Sequence, residues 1–261
     1  MKPLASLGAD EARRLRGVLF DLDDTVLTHG LLSRAAYSAM WDLEDAGLVA
    51  VAVTGRPSGW GEVLAKQWPV AGCVTENGAV HLVREGGSVV RRDACDAAER
   101  AARRGMLAAL IERVRAAVPE ATLTEDAHLR LSDATWDVAE RAKLPSEAVR
   151  RVVREIEAAG ARWSLSSVHL HATFDTDDKA SGAVRFCVRT LGEDAGAALA
   201  HYAFVGDSGN DAPCFGAFRT TFGVANVRAS LNRIGVCPVY VAGRPMGEGF
   251  AEVVAAILRH R

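Results

Sequence analysis

The sequence has few lysines and no long apolar runs. Its net charge is −2, and only four of its 261 residues are lysine: Lys2, Lys66, Lys143 and Lys179. We therefore expect no basic surface for nucleic acid or for an anionic membrane. No run of 18 apolar residues occurs, which argues against a membrane-spanning helix. The N-terminus lacks a long apolar segment, and we expect no secretory signal.

Paired cysteines are also absent. The five cysteines are scattered and form no C-x-x-C pair. Such a set is typical of reduced, buried thiols rather than of a disulfide framework, so we predict a cytoplasmic protein. The apolar share of 49% and the charged share of 25% are those of a soluble globular protein. A chain of this length can form one or two domains.

Three carboxylates follow the first predicted buried strand, 17–20. Asp21, Asp23 and Asp24 stand within four residues, where a continuing strand would need apolar side chains. Neighbouring carboxylates repel one another and lose hydration when buried. A divalent cation would resolve that conflict, and Mg²⁺ prefers hard oxygen ligands. An Asp-rich turn in solvent is the alternative interpretation of this stretch alone.

Strands and helices alternate in the first part of the chain. Apolar runs predict strands at 17–20, 48–53 and 73–75, and helical spacing predicts helices at 34–46 and 58–68. This β-α-β-α order is typical of an α/β fold, with a parallel sheet and crossover helices. The same pattern resumes near the C-terminal third of the chain.

The middle of the chain has a different pattern. Hairpin signals and two helices give the order ββ-α-ββ-α-ββ, with two of the strands expected near 128–132 and 136–139. Hairpins imply antiparallel pairing, which indicates an α+β unit inserted into the α/β domain. We therefore predict a core domain from 1–80 and 173–261 and an inserted cap domain from 81–172.

Two further predicted strands end in polar loops. Thr54 and Gly55 follow the second strand, and the stretch GDSGND at 206–211 follows a strand at 202–205. The carboxyl ends of parallel strands meet at one edge of a sheet. Lys179 precedes the helix that leads to the last of these loops. Carboxylates, a hydroxyl group, glycine N–H groups and one fixed cation together suit a phosphoryl group.

These stretches, in this order, resemble the four motifs of the haloacid dehalogenase (HAD) superfamily of phosphotransferases. The first is DLDDT at 21–25, the second Thr54, the third Lys179 and the fourth GDSGND at 206–211. The segment between the second and third motifs resembles the α+β cap of class IIB members. These include Cof-type sugar phosphatases, sucrose-phosphatases and mannosyl-3-phosphoglycerate phosphatases. The resemblance implies a Rossmann-like core with helices on both faces of its sheet.

The resemblance also implies catalytic and metal-binding roles. Asp21 would be the nucleophile that forms an aspartyl-phosphate, and Asp23 would act first as acid and then as base. Mg²⁺ would be held by the Asp21 carboxylate, the Asp23 backbone carbonyl and Asp207. Asp211 would lie at the metal or just behind its ligands.

Phosphate binding is implied for a second set of residues. Thr54, the N–H group of Gly55 and Asn210 would bind phosphate oxygens, and Lys179 would pair with both Asp21 and the phosphoryl group. Two residues, Asp24 and Ala180, stand where many members of the family have glycine. We expect neither residue to abolish activity.

The implied function is a Mg²⁺-dependent phosphomonoester hydrolase that acts on a small phosphorylated metabolite, such as a sugar phosphate. One alternative is a sugar phosphomutase, which passes the phosphoryl group to a sugar hydroxyl instead of water. Another is a regulator that binds a phosphorylated metabolite without turnover, although the intact Asp21, Asp23 and Asp207 argue against it.

Three further features keep two interpretations each. His169 and His171 form an H-x-H pattern on one face of a predicted strand. This is either half a metal site, for which no third ligand is evident, or a pair of surface or cap-face histidines. Arg56 either contacts phosphate or substrate, or is solvated at a helix start. The tryptophans of the predicted cap, Trp136 and Trp163, either pack in its core or include one that stacks on a sugar ring.

Overall fold

The computed structural model describes residues 1–141, 143–166, 168–231 and 234–261. Its strands are β1 (Lys2–Pro3), β2 (Gly17–Phe20), β3 (Leu27–Thr28), β4 (Leu31–Leu32), β5 (Val49–Val53), β6 (Gly72–Thr75), β7 (Val80–Glu85), β8 (Ser88–Asp93), β9 (Asp133–Asp137), β10 (Arg162–Leu165), β11 (His169–Thr173), β12 (Tyr202–Gly206), β13 (Thr220–Gly223) and β14 (Tyr240–Val241). Its α-helices are α1 (Ala9–Arg14), α2 (Arg34–Asp45), α3 (Ser58–Gln67), α4 (Ala97–Ala117), α5 (Ser146–Ala158), α6 (Lys179–Leu191), α7 (Ala195–His201), α8 (Ala212–Ala217) and α9 (Met246–Leu258).

Most of the strands belong to one sheet, which we call the main sheet. Its order is β1-β14-β13-β12-β2-β5-β6-β7-β8. In this sheet order, each pairing along the first seven strands, which end with β6, is parallel. β7 pairs antiparallel with β6, and β8 pairs antiparallel with β7 at that edge of the sheet. All four residues of β2 are buried, as a strand covered on both faces requires.

Helices cover both faces of the main sheet. On one face Phe20 packs in a cluster with Met40 of α2 and Phe250 of α9. On the other face Leu19 packs in a cluster with Phe186 of α6. Successive residues of β2 thus face opposite helical layers. The predicted α/β fold class, with helices on both sides of a parallel sheet, is confirmed.

A second sheet, which we call the small sheet, has the order β10-β11-β9 and is antiparallel. Leu170 on β11 and Trp136 on β9 are directly paired and lie on its apolar face. This face forms a separate core with α4 and α5, to which Leu110 and Val152 contribute. The other face of the small sheet is polar and lies over the carboxyl edge of the main sheet.

The structure corrects one predicted strand and moves one predicted hairpin. Residues 125–129 form a 3-10 helix instead of starting a strand. The N–H group of Arg130 donates to the Ala127 carbonyl, and those of Leu131 and Ser132 donate to the Glu76 carboxylate, so none of the three is available to a neighbouring strand. The hairpin of β7 and β8 pairs with β6 and extends the main sheet.

The division into a core at 1–80 and 173–261 and a cap at 81–172 stays a prediction. The hairpin pairing places the first part of that cap segment, 81–93, in the main sheet. The small sheet with α4 and α5 accounts for the remainder of the predicted cap. In the described part of the chain, no helix combines the length and the apolar character needed to cross a bilayer.

Candidate active site

The predicted site residues come together at the carboxyl edge of the main sheet. β12, β2 and β5 are adjacent parallel strands, with Phe20 paired to both Val205 and Ala52. Their ends therefore lie side by side, and the loops that follow them face one another. The N–H group of Asp21 still donates to the Val205 carbonyl at 2.9 Å, which fixes the start of the first loop.

Lys179, the first residue of α6, joins two of the carboxylates. Its Nζ donates to Asp21 Oδ1 at 2.6 Å and to Asp211 Oδ1 at 2.7 Å, and its side chain is fully buried. The other oxygen of Asp211 accepts from the N–H groups of Asp207 and Ser208, at 2.9 and 3.0 Å. Both oxygens of Asp211 are thus engaged by the protein, and this carboxylate fixes the loop that carries Asp207.

Three buried carboxylates crowd around this one lysine. Oxygens of Asp21, Asp207 and Asp211 lie within 4.8 Å of one another. Burial raises the pKa of Asp21 to about 7, although the charge of Lys179 opposes the shift. Burial and the charge of Asp211 likewise raise the pKa of Asp207 well above its ordinary value. The cause is an excess of negative charge in a dry site, which a divalent cation would relieve.

Asp23 does not belong to this group of three carboxylates, and an arginine binds its side chain. Arg56 donates two hydrogen bonds to the Asp23 carboxylate, from Nε at 2.9 Å and from Nη2 at 2.8 Å. The same Nη2 donates to Glu140 Oε1 at 2.8 Å, and the guanidinium lies over the Trp60 ring at 4.7 Å from its centroid. Arg56 is 6% exposed, so of its two interpretations solvation at a helix start is wrong.

Two of the predicted phosphate-binding residues, Gly55 and Asn210, border the small space over Asp21, and Thr54 directly precedes Gly55. Thr54 is fully buried, and its Oγ1 accepts from the N–H group of Arg56 at 3.0 Å. Asn210 accepts through Oδ1 from the Ser208 hydroxyl at 2.8 Å. The residues that line the space over Asp21 are Asp21 itself, Asp23, Gly55, Ser166, His169, His171, Ser208 and Asn210. Of the predicted site residues, Asp21, Asp23, Gly55 and Asn210 line this space, and Lys179, Asp207 and Asp211 lie beside Asp21.

Sequence reasoning missed Asn226, which contacts the loops that carry Asp24 and Asp207. Its Nδ2 donates to Asp207 Oδ2 and to the backbone carbonyl of Asp24, each at 2.9 Å, and its Oδ1 accepts from the Met246 N–H group at 3.0 Å. Asn226 lies just after β13, at the same sheet edge. That position could have marked it, but the sequence around it follows none of the motifs used to find the site.

Glu76 was also missed, and it joins the two sheets. Its buried carboxylate accepts from the N–H groups of Ser58, Leu131 and Ser132 and from the Ser132 hydroxyl. Burial raises the pKa of Glu76. Because Ser58 begins α3 and Ser132 directly precedes β9, this one side chain fixes the position of the small sheet relative to the main sheet.

The two histidines of the H-x-H pattern face the site from β11. His169 Nε2 donates to Glu140 Oε2 at 2.7 Å, and His171 Nδ1 lies 2.9 Å from Asp133 Oδ2. Neither histidine belongs to a group of three possible metal ligands within the residues that the structure describes. Of the two interpretations of this pattern, the pair of cap-face histidines is the one consistent with the structure.

Comparison with known proteins identifies the fold. No protein-family model matches the sequence, and a search of curated proteins finds no match. Solved structures do match over nearly the whole chain. The sucrose-phosphatase from Synechocystis sp. PCC6803, solved with sucrose and phosphate, has a TM-score of 0.65 at 15% identity, covering 93% of this chain and 98% of that chain.

Two further structures give the same result. The crystal structure of the protein Thermoplasma acidophilum 0175 matches with a TM-score of 0.71 at 18% identity, covering 94% of this chain and 98% of that one. A sugar phosphatase of HAD subclass IIB has a TM-score of 0.61 at 17% identity, with coverage of 94% and 98%. The shared fold spans both sheets, and the chain thus has the fold of the haloacid dehalogenase superfamily phosphatases, as its four motifs predict.

Proposed function

We propose that this protein is a Mg²⁺-dependent phosphomonoester hydrolase that works through an aspartyl-phosphate. One observation carries the proposal: buried Lys179 bridges Asp21 and Asp211 beside a third buried carboxylate, Asp207. A buried acidic cluster with one fixed cation is typical neither of a solvated surface nor of an apolar core. It does suit a site that a metal ion and a phosphoryl group share.

The donor set fits Mg²⁺. The oxygens of Asp21 and Asp207 are hard donors, and the raised pKa of each group shows how costly their unneutralised charges are. We assign the metal to these two carboxylates together with the backbone carbonyl of Asp23. Asp211 orients the Asp207 loop, because both of its oxygens already accept hydrogen bonds. When bound, the cation would neutralise negative charge on the phosphoryl oxygens.

The reaction has two steps, and side chains of this protein act in both. In the first, an Asp21 oxygen attacks phosphorus while the bond from phosphorus to the leaving oxygen breaks, and Asp23 gives that oxygen a proton. In the second, Asp23 takes a proton from water as the water attacks the aspartyl-phosphate, which restores Asp21. Thr54, the Gly55 N–H group, Asn210 and Lys179 hold the phosphoryl oxygens.

We further propose a small phosphorylated metabolite, such as a sugar phosphate, as substrate. The space directly over Asp21 measures about 10 Å³, and the small sheet covers it. A site covered in this way favours small substrates over phosphorylated macromolecules. Two of the similar structures are a sucrose-phosphatase and a sugar phosphatase, which supports this substrate class. The free cysteines fit a cytoplasmic location.

The test is phosphate release from a panel of phosphorylated metabolites, with Mg²⁺ and with EDTA. We expect metal-dependent release from one or a few sugar phosphates, loss of turnover in Asp21→Asn, and a loss of about 10²–10⁴-fold in Asp23→Ala. Activity that survives in Asp21→Asn would rule out the covalent mechanism. If no compound releases phosphate, isomer interconversion with a bisphosphate activator would test the phosphomutase instead.

A further inference from the structure

We propose that His171, oriented by Asp133, accepts a hydrogen bond from a hydroxyl group on the alcohol part of the substrate. In this way His171 would select phosphomonoesters of polyhydroxylated alcohols over those of simple alcohols. The inference rests on the proposed function and specifies the substrate class of the same site. It also gives a role to the H-x-H pattern, which the reaction itself does not use.

The position of His171 follows from the register of the small sheet. On β11 the apolar residues Leu170 and Ala172 face α4 and α5, so the alternate residues face the main sheet. His171 is paired with Thr135 on one side and with Ser164 on the other. A polar row thus crosses the small sheet directly over the carboxyl edge of the main sheet.

Asp133 sets the tautomer of the ring. His171 Nδ1 lies 2.9 Å from Asp133 Oδ2 and 3.1 Å from Thr135 Oγ1. Asp133 also accepts from Arg130 Nη1, at 3.0 and 3.1 Å. Burial opposes ionisation of Asp133, but the charge of Arg130 and the contacts with His171 together lower its pKa to about 2. Because this carboxylate can only accept, Nδ1 carries the proton.

The ring is neutral, which decides what Nε2 can bind. Burial lowers the pKa of His171 to about 4, although Asp133 opposes the shift. With its one proton on Nδ1, the ring presents a lone pair at Nε2. A phosphate dianion offers only acceptor oxygens and would repel that lone pair. A hydroxyl group can donate to it, so Nε2 is suited to the alcohol part of the substrate.

The free edge of His171 lies beside the predicted phosphate-binding loop. A Cβ at Gly55 would come within 3.1 Å of His171 Cε1 and 3.2 Å of Nε2. Across residues 1–141, 143–166, 168–231 and 234–261, no side chain or backbone group forms a hydrogen bond with Nε2. His171 also lines a neighbouring cavity of about 200 Å³, with Ser164, Thr173 and Asn210, which gives a small polyol a polar site.

His169 differs from His171 in one respect that matters. Its Nε2 is already engaged by Glu140, whose other oxygen accepts from Arg56. His169 therefore belongs to a chain of contacts that ends at Asp23, whereas His171 keeps a free acceptor. The two members of the H-x-H pattern thus have separate tasks, and only His171 can accept from a hydroxyl group.

The experiment compares kcat/KM for matched esters, such as glycerol 1-phosphate against propyl phosphate and sugar phosphates against their deoxy analogues. In the wild type we expect the hydroxylated ester to be favoured by about 10-fold or more. His171→Phe should bring this ratio close to one. His171→Gln, which restores an acceptor near Nε2, should recover part of it. His81→Phe, a buried histidine on β7, is the matched control and should keep the wild-type ratio.

The outcomes separate the two proposals. An unchanged ratio in His171→Phe, together with turnover of the esters, would overturn the role of His171 and leave the phosphatase intact. No release from any ester, p-nitrophenyl phosphate included, would overturn both.

A second measurement tests the role of His171 even if the His171→Phe protein does not fold. Nitrogen-15 NMR of the Asp21→Asn protein should show His171 protonated at Nδ1. Its Nε2 signal should shift with glycerol phosphate and not with propyl phosphate. A proton on Nε2 in the free protein would contradict the proposal.

Discussion

Asp24 has a left-handed backbone, with φ of 57°. It follows Asp23 in the first loop, and its carbonyl accepts from Asn226. A side chain in this region costs roughly 1 kcal/mol, which a glycine avoids. This explains in physical terms why glycine is common at this position in the family that the sequence resembles. The geometry also makes Asp24 a position where a substitution can be predicted.

We expect Asp24→Gly to raise the free energy of unfolding by about 1 kcal/mol. The measurement is denaturant unfolding in EDTA, so that no metal contributes. Asp24→Asn is the control, because asparagine tolerates the same backbone and removes only the charge near Asp207. If Asp24→Asn gains as much as Asp24→Gly, charge repulsion rather than backbone strain is the cause.

The side chain of Arg56 fixes the orientation of Asp23. Its two hydrogen bonds to that carboxylate use the planar fork of the guanidinium, which a lysine cannot reproduce. We expect Arg56→Lys to lower kcat by about 10-fold or more, because misplaced acid–base groups lose much of their effect. Steady-state kinetics with Mg²⁺ measure this, and circular dichroism checks the fold. A wild-type kcat in Arg56→Lys would contradict the positioning role.

At the scale of elements, α6 depends on a close approach of backbones. Gly182 in α6 faces Gly78, and a Cβ at 182 would lie 2.3 Å from the Gly78 Cα atom. This contact places the first turn of α6, and with it Lys179, against the loop after β6. Sequence reasoning found Lys179 but gave no reason for the glycine three residues later.

Gly182→Ala should therefore destabilise the protein, in spite of the higher helix propensity of alanine. We expect a loss of at least about 2 kcal/mol in the free energy of unfolding, since overpacking forces the backbone to shift. Gly105→Ala, in the middle of α4, is the matched control. No atom lies within 4 Å of a Cβ there, so this change should stabilise by about 1 kcal/mol. Equal effects of the two substitutions in denaturant unfolding would refute the packing explanation.

At the scale of the whole molecule, two buried histidines link stability to pH. Burial and the charges of Arg185 and Arg189 lower the pKa of His81 to about 3, and burial lowers the pKa of His171 to about 4. Between these values and the ordinary 6.5, the unfolded chain binds more protons than the folded chain. These two groups therefore make folding less favourable as the pH falls below 6.5.

The contribution of His81 can be isolated by difference. We expect the free energy of unfolding of the wild type, relative to His81→Phe, to fall by on the order of 1 kcal/mol per pH unit from pH 6 to pH 4. Urea unfolding of both proteins at several pH values measures this slope. A difference that stays constant with pH would show that His81 titrates as it does in the unfolded chain.

The α/β architecture and the candidate site residues at its sheet edge could be predicted from the sequence. Continuous apolar runs such as 17–20 and 202–205 are typical of strands covered on both faces, and their polar ends predicted one common edge. Local patterns sufficed because each motif directly follows its own strand or begins its own helix. The strand expected near 128–132 does not form, because the N–H groups of residues 131 and 132 donate to the carboxylate of Glu76, which is distant in the sequence.

The side chains that support the candidate site could be identified only from the folded structure. The bonds of Arg56 to Asp23 and Glu140, and that of His171 to Asp133, join residues that are far apart in the sequence. Such pairs depend on how the small sheet lies over the main sheet. The hydrophobic periodicity of the sequence does not predict this arrangement of the two sheets. The position of a motif along the chain is a local property, whereas the orientation of its carboxylate is set by contacts that exist only after folding.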